Sequence, residues 1–350
     1  MASMSGAEMS RRRLPAEWEA QSGVMLAWPH AGSDWVDMLA KVEPCVAAIV
    51  AAISRFEEVI LVVDDSERVR LLLLAAGAEA ERVRMIELPT NDTWVRDFGA
   101  ITVEEGAGFR LLDFNFNGWG LKFAANLDNQ ASARLHAAGV LGSSPMTSLP
   151  LILEGGSIDS DGAGTILTTA DCLLSYNRNA HLSQAEIEQQ LCGLFGAERL
   201  LWLHHGHLAG DDTDSHIDIL ARFAAPDTII HMHCDDPDDE HYAEFAAMQT
   251  ELQALRQLSG EPYRLVALPW PKPKLNSEGE PAAPSYANFL IINGAVLVPT
   301  YNDAADARAL NLIATCFPGR EVIGIDSTVL IEQGGSLHCM TMQFPQGVLP

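Results

Sequence analysis

The chain has 350 residues, of which 48% are hydrophobic, ample for a substantial buried core. A length of this order fits either two domains or one large α/β domain. With 22 basic against 47 acidic residues the formal net charge is −25, which argues against nucleic acid as a partner, because that binding rests on Lys and Arg contacts to phosphate. The same charge suits a cationic ligand, although acidity also serves simply to keep a protein in solution. No apolar run approaches the ~18 residues of a membrane-spanning helix, so no membrane segment is expected.

Met1–Arg13 is small, polar and basic, and it reads as a disordered tail preceding a single catalytic domain over residues 14–350. No apolar segment follows Arg11-Arg12-Arg13, because Pro15, Glu17 and Glu19 interrupt it, so a secretion signal is not expected. The amphipathic stretch Val42–Phe56 predicts a helix and the apolar run Val59–Asp64 a buried strand. Glu67–Ala76 reads as a second helix, with Ser66 as N-cap and Gly77 as stop. Strands are expected at Val83–Leu88, Phe109–Phe116, Leu149–Leu153, Thr165–Leu167 and Arg199–Leu203. Ser183–Phe195 has helical spacing and a capping-box pattern from Ser183 and Glu186. Ile217–Phe223 reads as extended and His241–Leu258 as a long helix. Leu268–Ser285, rich in Pro and polar residues, reads as a long surface loop of the kind that often serves as a lid. Asn293-Gly294 between two apolar runs is a hairpin signal. Ala304–Cys316 is expected to be helical, and Glu321–Ile325 and Ser336–Gln343 to be strands.

None of the six cysteines forms a C-x-x-C pair, so there is no zinc-ribbon or redox-motif signal. Without secretion, six free thiols in a cytoplasmic protein are expected, with Cys45, Cys172, Cys192 and Cys316 in the core. Cys339 has a distinct setting. It follows Gly334 and Gly335, and paired glycines let backbone approach a ligand closely. Three other polar clusters lie at strand ends: Thr90–Gly99, Leu153–Gly156 and Gly210–Asp218. Taken singly, the first two also read as ordinary turns. In the third, His216 and Asp218 would share one face of an extended strand, giving a base beside a charge clamp. His231-Met232-His233-Cys234 with Asp235 and Asp236 has the look of a metal tract, yet it more simply ends a strand and opens an acidic loop, so no metal is expected there.

Together these motifs resemble the agmatine deiminase family, within the guanidine-modifying (pentein) superfamily that also holds bacterial-type peptidylarginine deiminases. The resemblance runs from Leu14-Pro15-Ala16-Glu17-Trp18-Glu19 through Asn91–Gly99, Phe116–Gly120, Glu154–Gly156, His216–Asp218 and Ser285–Thr300 to Gln343. Gln333, Ser336, Leu337 and Ile219 stand where the family's pattern varies. The resemblance implies a five-bladed α/β propeller of ββαβ-type modules around a central site. It implies Cys339 as nucleophile, His216 as general acid and base, Asp97 and Asp218 as the carboxylates that grip the guanidinium, and Glu154 as the acid beside His216. It also sets Trp94 and Trp119 near the substrate channel, while Asp92, Asp211, Asp212 and Asp214 read either as candidates for a distal ammonium or as turn formers. No cofactor is implied. The expected partner is a small guanidine cation, agmatine first and peptidyl-arginine or another alkylguanidine second, with a homo-oligomer as the expected assembly. A different class, a metallohydrolase using Asp211, Asp212, Asp214 and His216, is the rival reading. Acidic neighbours should raise the Cys339 pKa. The thiolate would therefore form when a cationic substrate arrives, or as an ion pair with protonated His216.

Overall fold

The computed structural model describes residues 12–350. Strands β1 (Arg12–Arg13), β2 (Gln21–Ala27), β3 (Glu58–Val63) and β4 (Val83–Glu87) come first. β2, β3 and β4 run parallel, joined by the helices Leu39–Ser54 and Ser66–Ala76. Parallel strands need such crossovers, and helices supply them while covering the sheet face.

Four modules then repeat one plan: an antiparallel pair, a helical connection, and a third strand parallel to the second. β5 (Ile101–Glu105), β6 (Gly108–Asn115) and β7 (Met146–Ile152) form one module. β8 (Ile158–Ser160), β9 (Thr165–Thr169) and β10 (Arg199–Leu203) form the next. β11 (Ala221–Ala225), β12 (Thr228–Met232) and β13 (Arg264–Leu268) follow. After a small ribbon of β14 (Lys274–Leu275) and β15 (Pro281–Ala282) comes the module of β16 (Leu290–Ile292), β17 (Ala295–Thr300) and β18 (Glu321–Asp326). Finally β19 (Met342–Pro345) returns to pair antiparallel with β2. It gives the first sheet the antiparallel partner that the others have, so both ends of the chain close one sheet. The result is five sheets of one ββαβ plan plus the ribbon, as the expected propeller requires.

Several local expectations change. Arg12 and Arg13 are not part of a tail: they form β1, paired with the edge of β5, and Arg13 bonds Glu19 and Glu104. An open sheet edge offers unpaired backbone groups, and here two arginines also meet carboxylates. Residues 1–11, the rest of that expected tail, lie outside the described residues. The cap of the helix Ser66–Ala76 is Asp65 rather than Ser66: its Oδ1 accepts the Glu67 and Arg68 N–H groups, each at 3.1 Å. Gly77 ends that helix at φ 80° as expected, and the capping box of Ser183 and Glu186 is present. Ile217–Ile219 and His338–Met340 are 3₁₀ turns rather than extended strand. Their strands begin later, at Ala221 and Met342. The long loop Leu268–Ser285 contains the β14–β15 ribbon. Cys45 and Cys172 are buried as expected, but Cys192 and Cys316 are only half-buried, because both sit on outer helices. Among the described residues no helix is long and apolar enough to cross a membrane.

Candidate active site

The repeated plan gives each module the same kind of vantage point. Immediately before the first strand of a module the chain makes a tight turn toward the centre. Asp97 lies in the turn Val95–Phe98 before β5, and Glu154 directly precedes the turn Gly155–Ser157 before β8. Asp218 lies in the turn Ile217–Ile219 before β11, with His216 as its N-terminal flank. Asn288 precedes β16, and Cys339 lies in the turn His338–Met340 before β19. All are buried. Short turns on rigid strands present side chains with little freedom to move.

Gly156 shows how closely these turns meet. A Cβ there would lie 2.6 Å from His216 Nδ1, 2.9 Å from Asp97 Oδ1 and 3.1 Å from Asp218 Oδ2. The backbone itself fills the gap between the three groups, and the Gly156 N–H donates to Asp97 Oδ1 at 3.0 Å. Trp119 Nε1 donates to the other Asp97 oxygen at 2.8 Å. To reach it the Trp119 backbone takes φ 53°, rare for a bulky residue. His216 Nδ1 stands 3.5 Å from Asp97 Oδ1. Neither ring nitrogen of His216, nor Asp218 Oδ1, has a hydrogen-bond partner among the described residues, although all are buried. Buried polar atoms without a partner are uncommon in folded proteins.

The Cys339 sulfur accepts from Asn288 Nδ2 at 3.2 Å and lies 3.7 Å from Asp218 Oδ2. Gly335 packs its Cα face on Trp94, where a Cβ would come within 2.3 Å of the indole. Gly155, Gly156 and Gly335 are thus close-approach positions, whereas Gly334 takes a left-handed φ of 76°. Burial, then Asp218 and Asp97, push the Cys339 thiol well above the usual range. Burial likewise lifts Asp97 to about 6, against the opposing charge of His216. For His216 burial opposes the charge, but the nearby Asp97, Cys172 and Glu154 outweigh it and hold the imidazole well above its ordinary value. Asp218 moves the other way. Burial opposes its charge, yet the hydrogen bond from His338 and the surrounding cations keep it below the usual carboxylate range.

Glu154 is held by Arg178, whose Nε lies 2.9 and 3.0 Å from its two oxygens. Arg178 also bonds Asp214 Oδ2 at 2.6 Å and the Thr213 carbonyl at 2.9 Å, tying the β8 turn to the His216 loop. The donor atoms of Glu154, Cys172 and His216 lie within 4.8 Å of one another. A metal fits them poorly, because the Arg178 cation already occupies both Glu154 oxygens. The rival set fits no better. Asp211 spends its oxygens on the N–H groups of Thr213 and Ser215, and Asp214 is paired with Arg178 and Lys122. They shape the loop that carries His216.

A pocket of about 550 Å³ opens over Cys339 and Asp97. Trp94, Trp119 and Phe123 form its apolar wall. Asp92 and Asp212 line it, joined by Asp34, Asp37, Glu278 and Glu332, which have no distinguishing pattern in the sequence. Burial, chiefly, raises Asp92 to about 6 and raises Asp212 as well. The turn of the β14–β15 ribbon supplies Asn276, Ser277 and Glu278 to the rim. Also missed were Asn288, Arg178, His338 and Glu17. Glu17 and Asn288 lie inside segments that carried the family resemblance, but neither has a local pattern of its own.

Fold and site define a protein of the guanidine-modifying class: an α/β propeller whose members act on amidine C–N bonds. Residues 13–345 match the family described as Porphyromonas-type peptidyl-arginine deiminase, and the chain belongs to that family. It is 32% identical to the agmatine deiminase of Pseudomonas aeruginosa (strain LESB58), over 95% of each chain. Its fold matches the C. jejuni agmatine deiminase, solved as a Cys→Ser variant with substrate bound, at a TM-score of 0.90 and 36% identity, covering 99% of both chains. A Porphyromonas gingivalis structure provisionally assigned as an arginine deiminase matches at 0.92 and 48% identity, over 97% of this chain and 100% of that one. An amidinotransferase from Microseira wollei, at 14% identity and a TM-score of 0.53, shares the fold alone.

Proposed function

We propose that this protein hydrolyses agmatine to N-carbamoylputrescine and ammonia, with Cys339 as the covalent nucleophile. The observation that carries the reading is the lining of the pocket over Cys339: Asp34, Asp37, Asp92, Asp97, Asp212, Glu278 and Glu332, with no Lys or Arg in the lining among the described residues. Agmatine is cationic at both ends and has no carboxylate, so acids at the floor and at the rim suit both its charges. Free arginine would bring an α-carboxylate into the same acidic wall unpaired.

A guanidinium is a delocalised cation with pKa above ~12, and its carbon is a poor electrophile. Asp97 and Asp218 fix its plane through paired hydrogen bonds. The arriving cation offsets the carboxylates that raise the Cys339 thiol, the thiol proton leaves to solvent, and the thiolate adds to the guanidinium carbon. Protonated His216 delivers its proton to the departing nitrogen, and ammonia leaves. Cys339 then carries a thiouronium. Neutral His216 takes a proton from the attacking water, and the second tetrahedral adduct gives up its hydroxyl proton to solvent as it collapses to the ureido product with return of the thiolate. Glu154 supports the imidazolium of His216 and is itself oriented by Arg178.

A second reading, deimination of arginine within a peptide, is favoured by the family match over residues 13–345 and by the 43% identity to a structure provisionally assigned as a peptidyl-arginine deiminase. A colorimetric ureido assay against agmatine, free arginine and an arginyl peptide, with Cys339→Ser as control, separates the two. The expected result is a kcat/KM for agmatine on the order of a hundredfold above both others. Preference for the arginyl peptide would transfer the reading to the second.

A further inference from the structure

His338 adjoins the nucleophile in sequence, yet the steps above make no use of it. Its ring is buried, with Nδ1 2.8 Å from Asp218 Oδ2 and Nε2 2.8 Å from Glu17 Oε2. Glu17 is held by three more contacts: Arg222 Nη2 at 2.8 Å and Arg96 Nη2 at 3.7 Å on the same oxygen, and the Ile291 N–H at 2.7 Å on the other. Burial opposes its charge, but Arg222, His338 and Arg96 keep it far below the usual carboxylate range. Arg222 continues to Asp159 at 3.0 Å. The groups that face His338 are therefore Asp218, Glu17 and Cys339, with Arg96 donating to its carbonyl at 3.5 Å and Arg222 one contact further on.

Each ring nitrogen meets an ionised carboxylate, and an ionised carboxylate only accepts. Both nitrogens must then donate, and the ring form with two N–H groups is the imidazolium. A neutral ring would leave a lone pair facing a carboxylate in a buried site, which is costly. The outcome is a row of alternating charge, Asp218–His338–Glu17–Arg222–Asp159, that crosses the centre of the molecule. At the end beside Cys339, Asp218 spends Oδ2 on His338 and keeps Oδ1 buried with no partner among the described residues.

We propose that His338 and Glu17 are positioning residues: a proton fixed on His338 between the two carboxylates holds Asp218 ionised and turned so that its free oxygen receives the guanidinium above Cys339. This rests on the reading of Cys339 and Asp218 as a guanidinium site, but not on which guanidine is turned over. The N-terminal segment thereby contributes to substrate binding through Glu17, although it does not touch the substrate.

The test uses the full chain and two thiol-alkylating reagents of nearly equal shape, cationic chloroacetamidine and neutral chloroacetamide, with the rate of Cys339 alkylation followed for each. In Glu17→Gln, which keeps the shape and removes the charge, and in His338→Gln, the ratio of cationic to neutral alkylation rates should fall at least about tenfold. The neutral rate should stay within about twofold of wild type, a pattern that a merely structural role would not give. Nitrogen NMR of the wild-type protein should show His338 with both ring nitrogens protonated, a measurement independent of how the variants fold. An unchanged rate ratio in a folded Glu17→Gln protein, a proportional loss of both rates, or a singly protonated His338 ring would each overturn the proposal. If the ratio falls but agmatine is not turned over, the positioning role stands and the substrate reading fails.

Discussion

Cys339 has its sulfur 3.7 Å from an Asp218 oxygen and is driven upward by burial and by two carboxylates, so at neutral pH the unliganded site holds a thiol. On the proposed reading, a guanidinium held between Asp97 and Asp218 would cancel the charges that oppose ionisation. Thiolate ultraviolet absorbance, taken as wild type minus Cys339→Ser, should therefore be absent at neutral pH and appear on titration with a non-reactive alkylguanidine. An absorbance unmoved by the guanidine would rule out substrate-linked ionisation and leave the ion pair with His216. Gly156 makes a second demand at this scale. A methyl group there would strike His216, Asp97 and Asp218 at once, so Gly156→Ala should lower kcat/KM by on the order of a hundredfold or more while circular dichroism stays native-like. The acids, imidazole and thiol of the site were legible as residue types at turn-like positions. His338, Arg178 and Glu17 were not, because what distinguishes them is a partner far away in sequence. His338 meets Glu17 only because β19 returns beside β2.

Among elements, the single turn ahead of each module's first strand decides where the chemistry sits. The sequence located the strands well where they are apolar runs, as at Glu58–Val63 and Ala295–Thr300. It misread Ile217–Ile219 and His338–Met340 as extended. In so short a segment, alternating apolar and polar residues also fit one 3₁₀ turn, whose third-residue spacing brings different side chains together. The helix Ser66–Ala76 offers a test of local reasoning. Asp65, not Ser66, caps it, and Ser66 Oγ instead donates to Glu87 at 2.7 Å. Asp65→Ala should cost about 1 kcal/mol in denaturant unfolding, and Ser66→Ala should cost less. The reverse order would show that the Glu87 contact, rather than the cap, secures the helix start.

For the molecule as a whole, the net charge of −25 is not all solvated surface. Burial raises Glu57 and Asp128 to about 7 and Asp92 and Asp97 to about 6. These groups bind protons more readily folded than unfolded, so stability falls as pH rises through their folded values. His216 acts in the same direction: its contribution is complete below its unfolded pKa and is lost as pH rises toward its folded value of about 10. Glu17 and Asp218 are depressed and titrate only in acid, outside this window. The melting temperature of the unliganded protein should therefore rise as pH falls from about 8 to about 6. A bound alkylguanidine should flatten that slope by keeping Asp97 ionised. A melting temperature that falls over the same range would contradict the buried-carboxylate account.

By itself the sequence determined the alternation of strands and helices, the acidity, and the order of motifs that marks the guanidine-modifying class. Each of these is written in local pattern or in composition. Only the tertiary structure decided that five separate turns share one centre, that Gly156 is the spacer among them, and that Asn288, Arg178, His338 and Glu17 lie in contact with the groups there or with their neighbours. Those facts depend on the closure of the first sheet by β19 and on contacts between residues hundreds of positions apart. No local periodicity encodes such contacts, because they arise only when the modules pack around a common axis.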